Sequence, residues 1–126
     1  MAKKKILVVE DDSDLLNLMN LKLTQEGFET ALAETGSQAL DYLKNQPLPD
    51  LVLLDILLPD IDGLSVLNEI ANTTKTKSLP VIILSNLADE GSFEQAEAIG
   101  HYDYLVKATT DLNVVVKKIK EKLGLK

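Results

Sequence analysis

Short, unbroken runs of Val, Ile and Leu recur along this chain, and each stops abruptly at a polar residue. Ile6-Leu7-Val8-Val9 runs into Glu10-Asp11-Asp12, Leu51-Val52-Leu53-Leu54 into Asp55, Val81-Ile82-Ile83-Leu84 into Ser85, and Tyr104-Leu105-Val106 into Lys107. A strand with one wet face alternates apolar and polar residues, whereas a run that is apolar at every position is buried on both faces, as in a parallel sheet. A parallel sheet places all its strand C-termini along one edge, where open α/β folds bind ligands. An acidic pair, a third carboxylate, a hydroxyl and an ammonium are thereby expected at a single site.

The segments between the runs have helical periodicity. Leu15, Leu16, Met19 and Leu23 mark a first helix capped by Asp12 or Ser13 and stopped at Gly27. Residues 28–33 form a second, less apolar strand nearer an edge, and 37–43 a second helix closed off by Pro47 and Pro49. Pro59-Asp60-Ile61-Asp62-Gly63 is a turn, where the two aspartates suit turn chemistry, and Leu64, Leu67 and Ile70 mark a third helix. Pro80 opens the fourth strand, 93–99 is a fourth helix with Gly100 at its C′ position, and 102–106 is the fifth strand. Thr109-Thr110-Asp111 caps a last helix with Leu112, Val115, Val116, Ile119 and Leu123 inward. The reading is an α/β fold, (βα)5, with right-handed crossovers and helices on both faces. Neither linker nor repeat interrupts it, so residues 1–126 are expected to be one domain.

Composition narrows the function. The chain of 126 residues carries a formal net charge of −7, which disfavours direct binding to nucleic acid or an anionic membrane. Lys117, Lys118, Lys120 and Lys122 cluster, and a solvated helix face accounts for them. With no cysteine there is neither disulfide nor thiol chemistry, consistent with a reducing compartment. The acids after Val9 cut the first apolar run too short for a signal peptide, so the expected location is cytoplasmic.

The strand-end residues carry the chemistry. Two unit charges about 4 Å apart repel by roughly 4 kcal/mol at an effective dielectric of about 20, and adding Asp55 to Glu10 and Asp11 worsens the crowding. A hard divalent cation relieves it, and Mg²⁺ commonly takes one or two carboxylates, several waters and phosphate oxygens. Asp12 is assigned to helix capping. Asp55, the one charged group in an apolar stretch, can act as a nucleophile that accepts a phosphoryl group. Such transfer needs in-line positioning and counter-charge more than a general base, which Ser85 and Lys107 can supply.

In these residues the chain resembles the response-regulator receiver domain, the phospho-accepting module of two-component signalling. The motifs are ILVVEDD, PDLVLLDILLPDIDG, LPVIILS and YDYLVK, in this order across essentially the whole chain. The resemblance implies a flavodoxin-like, doubly wound sheet in the order 2-1-3-4-5. It implies Asp55 as phosphoacceptor, Asp11 as a direct Mg²⁺ ligand, Glu10 acting through water, and the backbone carbonyl of Leu57 completing the protein's share. Ser85 and Lys107 would hold phosphoryl oxygens, and Ser85 and Tyr104 would form the switch. The donor would be a histidine kinase or histidine phosphotransfer protein. Output would pass to a protein partner, or to self-association, through the fourth helix, fifth strand and fifth helix, and no separate substrate would be turned over.

The chain departs from that pattern in places. Asn86 stands where the family usually has a small Ala, and Ala108 where it usually has Pro in a cis bond. A non-proline cis bond costs about 2.5–4 kcal/mol, so a trans Lys107–Ala108 peptide is expected. Leu57 and Leu87 lie two residues beyond Asp55 and Ser85, where they would hinder attack by water and prolong a phosphorylated state, unless they are merely packing residues. His101, the sole histidine, has no second His or Cys for a metal site and is assigned to the surface. Two rivals remain: a Mg²⁺-dependent phosphatase, which would want a second Asp where Leu57 stands, and a receiver-shaped binding module that is never phosphorylated.

Overall fold

The computed structural model of the chain describes residues 3–85, 90–100, 102–107 and 110–125, with the backbone alone for 90–93. Strands and helices alternate: β1 (Lys5–Val9), α1 (Ser13–Gln25), β2 (Glu29–Ala33), α2 (Gly36–Asn45), β3 (Leu51–Asp55), α3 (Gly63–Asn72), β4 (Val81–Ser85), α4 (Glu90–Ile99), β5 (Asp103–Val106) and α5 (Leu112–Lys122). The five strands are parallel and lie in the order β2-β1-β3-β4-β5, the flavodoxin-like arrangement. The less apolar β2 is an edge strand, as its composition implied.

Because successive strand residues point to opposite faces, each apolar run feeds two cores. Leu7, Val9, Val52, Leu54, Val81 and Ile83 pack beneath Ala39 and Leu43 of α2, Val66, Leu67 and Ile70 of α3, and Ala96 of α4. Ile6, Val8, Leu51, Leu53, Ile82 and Leu84 face Leu16, Met19 and Leu23 of α1 and Val115, Val116 and Ile119 of α5. Every residue of β3 and β4 is buried, which explains why these runs tolerate no polar residue before their ends.

The helix starts follow capping chemistry. Asp12 accepts from the Asp14 and Leu15 N–H groups, Thr35 from Gln38, Asp62 from Leu64 and Asp111 from Asn113. Gly27, at φ 92°, makes the left-handed turn that ends α1. Gly100 differs from expectation: its φ is not positive, so it is no left-handed cap. What it provides is room, since a Cβ there would lie 3.0 Å from the Tyr102 ring. The clustered lysines lie on the surface, and three of the four form ion pairs there: Lys118 with Glu121, Lys120 with Glu26 and Lys122 with Asp103. Among the described residues no helix is long and apolar enough to cross a membrane.

Candidate phosphoryl and metal site

Register brings the strand ends together. Val9 pairs with Leu54, so Glu10 follows beside Asp55; Asp55 pairs with Leu84, so Ser85 lies one step further along. Ser85 in turn pairs with Val106, after which Lys107 leaves β5. Glu10, Asp11 and Asp55 each offer a carboxylate oxygen, and these atoms all lie within 4.8 Å of one another. Glu10 is 1% exposed and Asp55 3%, while Asp11 faces solvent.

Lys107 reaches into this cluster. Its ammonium pairs with Glu10 Oε1 and, at 2.9 Å, with Asp55 Oδ2. The second oxygen of Asp55, Oδ1, accepts the Leu57 N–H at 3.1 Å, and Glu10 Oε2 accepts the Asp12 N–H at 3.1 Å. Both buried carboxylates are therefore aimed from two sides. Burial pushes the Glu10 carboxyl above its ordinary range, although Lys107 pulls it back. Desolvation also raises Asp11, reinforced by its neighbour Glu10. Burial works against the Lys107 ammonium, but its hydrogen bonds to Glu10 and Asp55 and their negative charge outweigh that, and its pKa rises. Three clustered carboxylates, two of them paired with one ammonium, form a set of hard oxygen donors with excess negative charge, which suits a small divalent cation.

The structure thus brings together Glu10, Asp11, Asp55 and Lys107, with Ser85 buried at the same edge. Tyr104 stands three residues before Lys107, half-buried against the core beneath α2, α3 and α4. The Leu57 side chain is 59% exposed, so it is no core packing residue. Asn86, Leu87, His101 and the Lys107–Ala108 peptide lie outside the described residues. Sequence reasoning missed Asp60. Rather than serving only its own turn, it accepts the Gly36 N–H at 2.8 Å and the Ser37 N–H at 3.0 Å. A partner more than twenty residues away leaves no local pattern to find.

Comparison with known proteins agrees with the fold. The family model for the response regulator receiver domain matches residues 6–120. The chain belongs to that family, a domain of two-component signalling. It is 34% identical over 106 residues to a probable transcriptional regulator, ycf27, of Guillardia theta, covering 84% of this chain and 40% of that protein. The phosphorylated cyanobacterial phytochrome response regulator RcpA superposes with a TM-score of 0.85 at 31% identity, covering 95% of this chain and 93% of that one. The receiver domain of the sensor histidine kinase PA1611 from Pseudomonas aeruginosa PAO1 has a magnesium ion coordinated in its active-site cleft. It superposes with a TM-score of 0.87 at 28% identity, covering 98% of this chain and 99% of that one. The chain spans well under two thirds of several relatives, 40% of ycf27 and 24% of the Caulobacter vibrioides response regulator PleD.

Proposed function

We propose that this chain is the phospho-accepting receiver of a two-component or phosphorelay system, and that Asp55 takes a phosphoryl group from phosphohistidine with the help of Mg²⁺. The observation that carries this reading is the convergence of Glu10, Asp11 and Asp55 at the C-terminal sheet edge, with the Lys107 ammonium paired to Glu10 and Asp55. A receiver with bound magnesium and a phosphorylated response regulator among the similar structures support it.

In this mechanism a carboxylate oxygen of Asp55 attacks phosphorus in line. The P–N bond to the donor imidazole breaks, its electron pair returns to the ring, and a P–O bond forms, giving an acyl phosphate. Asp11, the Asp55 carboxylate and the Leu57 carbonyl would hold the cation directly, with Glu10 acting through water. Once bound, the cation neutralises charge shared by the carboxylates and the phosphoryl oxygens. Lys107 exchanges its pairing with Asp55 for a phosphoryl oxygen as the charge there grows from one to roughly two. Ser85 donates to another phosphoryl oxygen, and Tyr104 turns toward the space that Ser85 leaves. That pair biases the surface formed by α4, β5 and α5 toward a downstream protein or a second copy.

The test is mass spectrometry after incubation with Mg²⁺ and a small acyl phosphate. The wild-type chain is expected to gain one phosphoryl group and Asp55→Asn none. A wild-type chain that stays unmodified at high donor concentration refutes the reading and leaves a receiver-shaped binding module. Steady release of phosphate from a generic ester would indicate a phosphatase.

A further inference from the structure

The loop 56–62 between β3 and α3 carries the Leu57 carbonyl, and it is tied down at both ends. At its base the Gly63 N–H donates to Ile56 O at 2.8 Å. Only glycine fits there, because a Cβ would collide with the Asp55 carbonyl oxygen and the Ile56 backbone. Beside the base, the Leu57 N–H is held by Asp55 Oδ1. At the tip, the two carboxylate oxygens of Asp60 take one backbone N–H each from Gly36 and Ser37, the first two residues of α2. The loop lies directly on that turn: a Cβ on Gly36 would come within 2.9 Å of Ile61 Cβ and 3.1 Å of Ile61 O.

The element gripped by Asp60 is itself well anchored. Thr35 caps α2 independently, accepting the Gln38 N–H at 3.0 Å. At the other end of α2, Lys75 donates to Lys44 O at 3.2 Å and Gln46 O at 3.3 Å. Charges from the segments flanking α3 therefore close α2 at both poles of its dipole, an anion at the N-terminus and a cation at the C-terminus. The Asp60 contact joins the loop to a fixed support.

We propose that Asp60 is a positioning residue for the cation site: by gripping the first turn of α2 it holds the loop that presents the Leu57 carbonyl, and so sets cation affinity without touching the cation. The inference rests on the reading above, in which that carbonyl is a ligand. Groups that orient a ligand from behind it commonly govern affinity as strongly as some ligands do. Coupling of this kind is reciprocal, so a bound cation must also tighten the Asp60 grip on α2. The site then reports its occupancy to α2.

The experiment is calorimetric titration of the full chain with MgCl2, for wild type, Asp60→Ala, Asp60→Asn and Thr35→Ala. Asp60→Ala is expected to weaken Mg²⁺ about tenfold, the low end for losing support behind a ligand. Asp60→Asn keeps one acceptor oxygen and should recover most of that loss. Thr35→Ala removes a cap from the same helix without touching the loop, and should lower thermal stability while leaving the Kd unchanged. Wild-type binding with an unaltered Kd in Asp60→Ala overturns this inference alone, and so does an equal loss in Thr35→Ala. A wild type that binds no Mg²⁺ overturns the reading beneath it as well. If Asp60→Ala does not fold, Asp60→Asn and hydrogen exchange decide. The Gly36 and Ser37 amides of the wild type should exchange more slowly with Mg²⁺ present, and unchanged exchange refutes the coupling.

Discussion

Lys107 carries more of the site's electrostatics than any other side chain. It compensates two carboxylates that are almost fully buried, and a charge removed from such a pair leaves its partners uncompensated. Lys107→Ala is therefore expected to lower stability by about 3 kcal/mol, the low end of the range for breaking a buried pair, because protonation of Glu10 absorbs part of the loss. Saturating Mg²⁺ should restore part of it, since the cation takes over the compensating role. Urea denaturation with and without Mg²⁺ measures both effects; an unchanged midpoint would show that the ammonium is dispensable. Leu57 belongs to the same small group. Its side chain is exposed rather than part of a core, and its amide is tied to Asp55, so the expected shielding of the phosphoryl group from water can be tested without disturbing the packing. Leu57→Asn is expected to shorten the phosphorylated lifetime several-fold with little change in stability, read as the decay of the phosphorylated mass after the donor is removed. An unchanged lifetime would assign Leu57 no shielding role.

The loop 56–62 and α2 behave as a joined pair. Gly63 permits the closest backbone approach in the site, so Gly63→Ala should cost about 3 kcal/mol, the upper part of what overpacking costs, since the atoms it meets are backbone and cannot rotate away. Thermal denaturation tests this, and a stable Ala variant would mean that the loop base can open. The Ser37 hydroxyl, followed by the backbone amides, holds the Asp60 carboxyl well below the usual carboxylate range. A depressed folded pKa contributes stability above the unfolded value of about 3.9, and that contribution is lost as pH falls through the folded value. The wild type should therefore lose part of its stability below about pH 4. In Asp60→Asn this part of the slope should be missing, a difference visible in denaturation midpoints across a pH series. Identical slopes would show that Asp60 is free of α2 in solution. Turn chemistry accounts for only part of what Asp60 does, for a physical reason: besides the Ile61 amide in its own turn, its carboxylate holds two amides of α2, an element distant in sequence and adjacent only through the crossover.

The molecule as a whole sets strong charge repulsion at one sheet edge against two well-packed cores. Folding must crowd Glu10, Asp11 and Asp55 together, and a cation that binds only this folded arrangement stabilises it. At a hundredfold excess over Kd the gain is about 2.7 kcal/mol. Burial and Glu10 raise the Asp11 pKa, so its ionised form is disfavoured by folding and costs stability at neutral pH. Asp11→Asn is thus expected to melt higher than the wild type without metal and to lose most of the Mg²⁺-induced shift. A fluorescence-dye melt with and without MgCl2 shows either result; a full Mg²⁺ shift in Asp11→Asn would remove Asp11 from the ligand set.

Much of this was written locally. Unbroken apolar runs identify buried parallel strands because every position must face a core, and their polar endings identify the site because chain direction fixes which edge they reach. Helix caps are likewise local, as Asp12 and Asp111 illustrate. Side-chain pairing across elements is a different matter. That Lys107 joins Glu10 to Asp55, and that Asp60 reaches past its own turn to α2, depends on register, crossover and the room left by Gly36 and Gly63. These are distances in three dimensions between residues whose spacing along the chain carries no trace of them, so only packing could decide them.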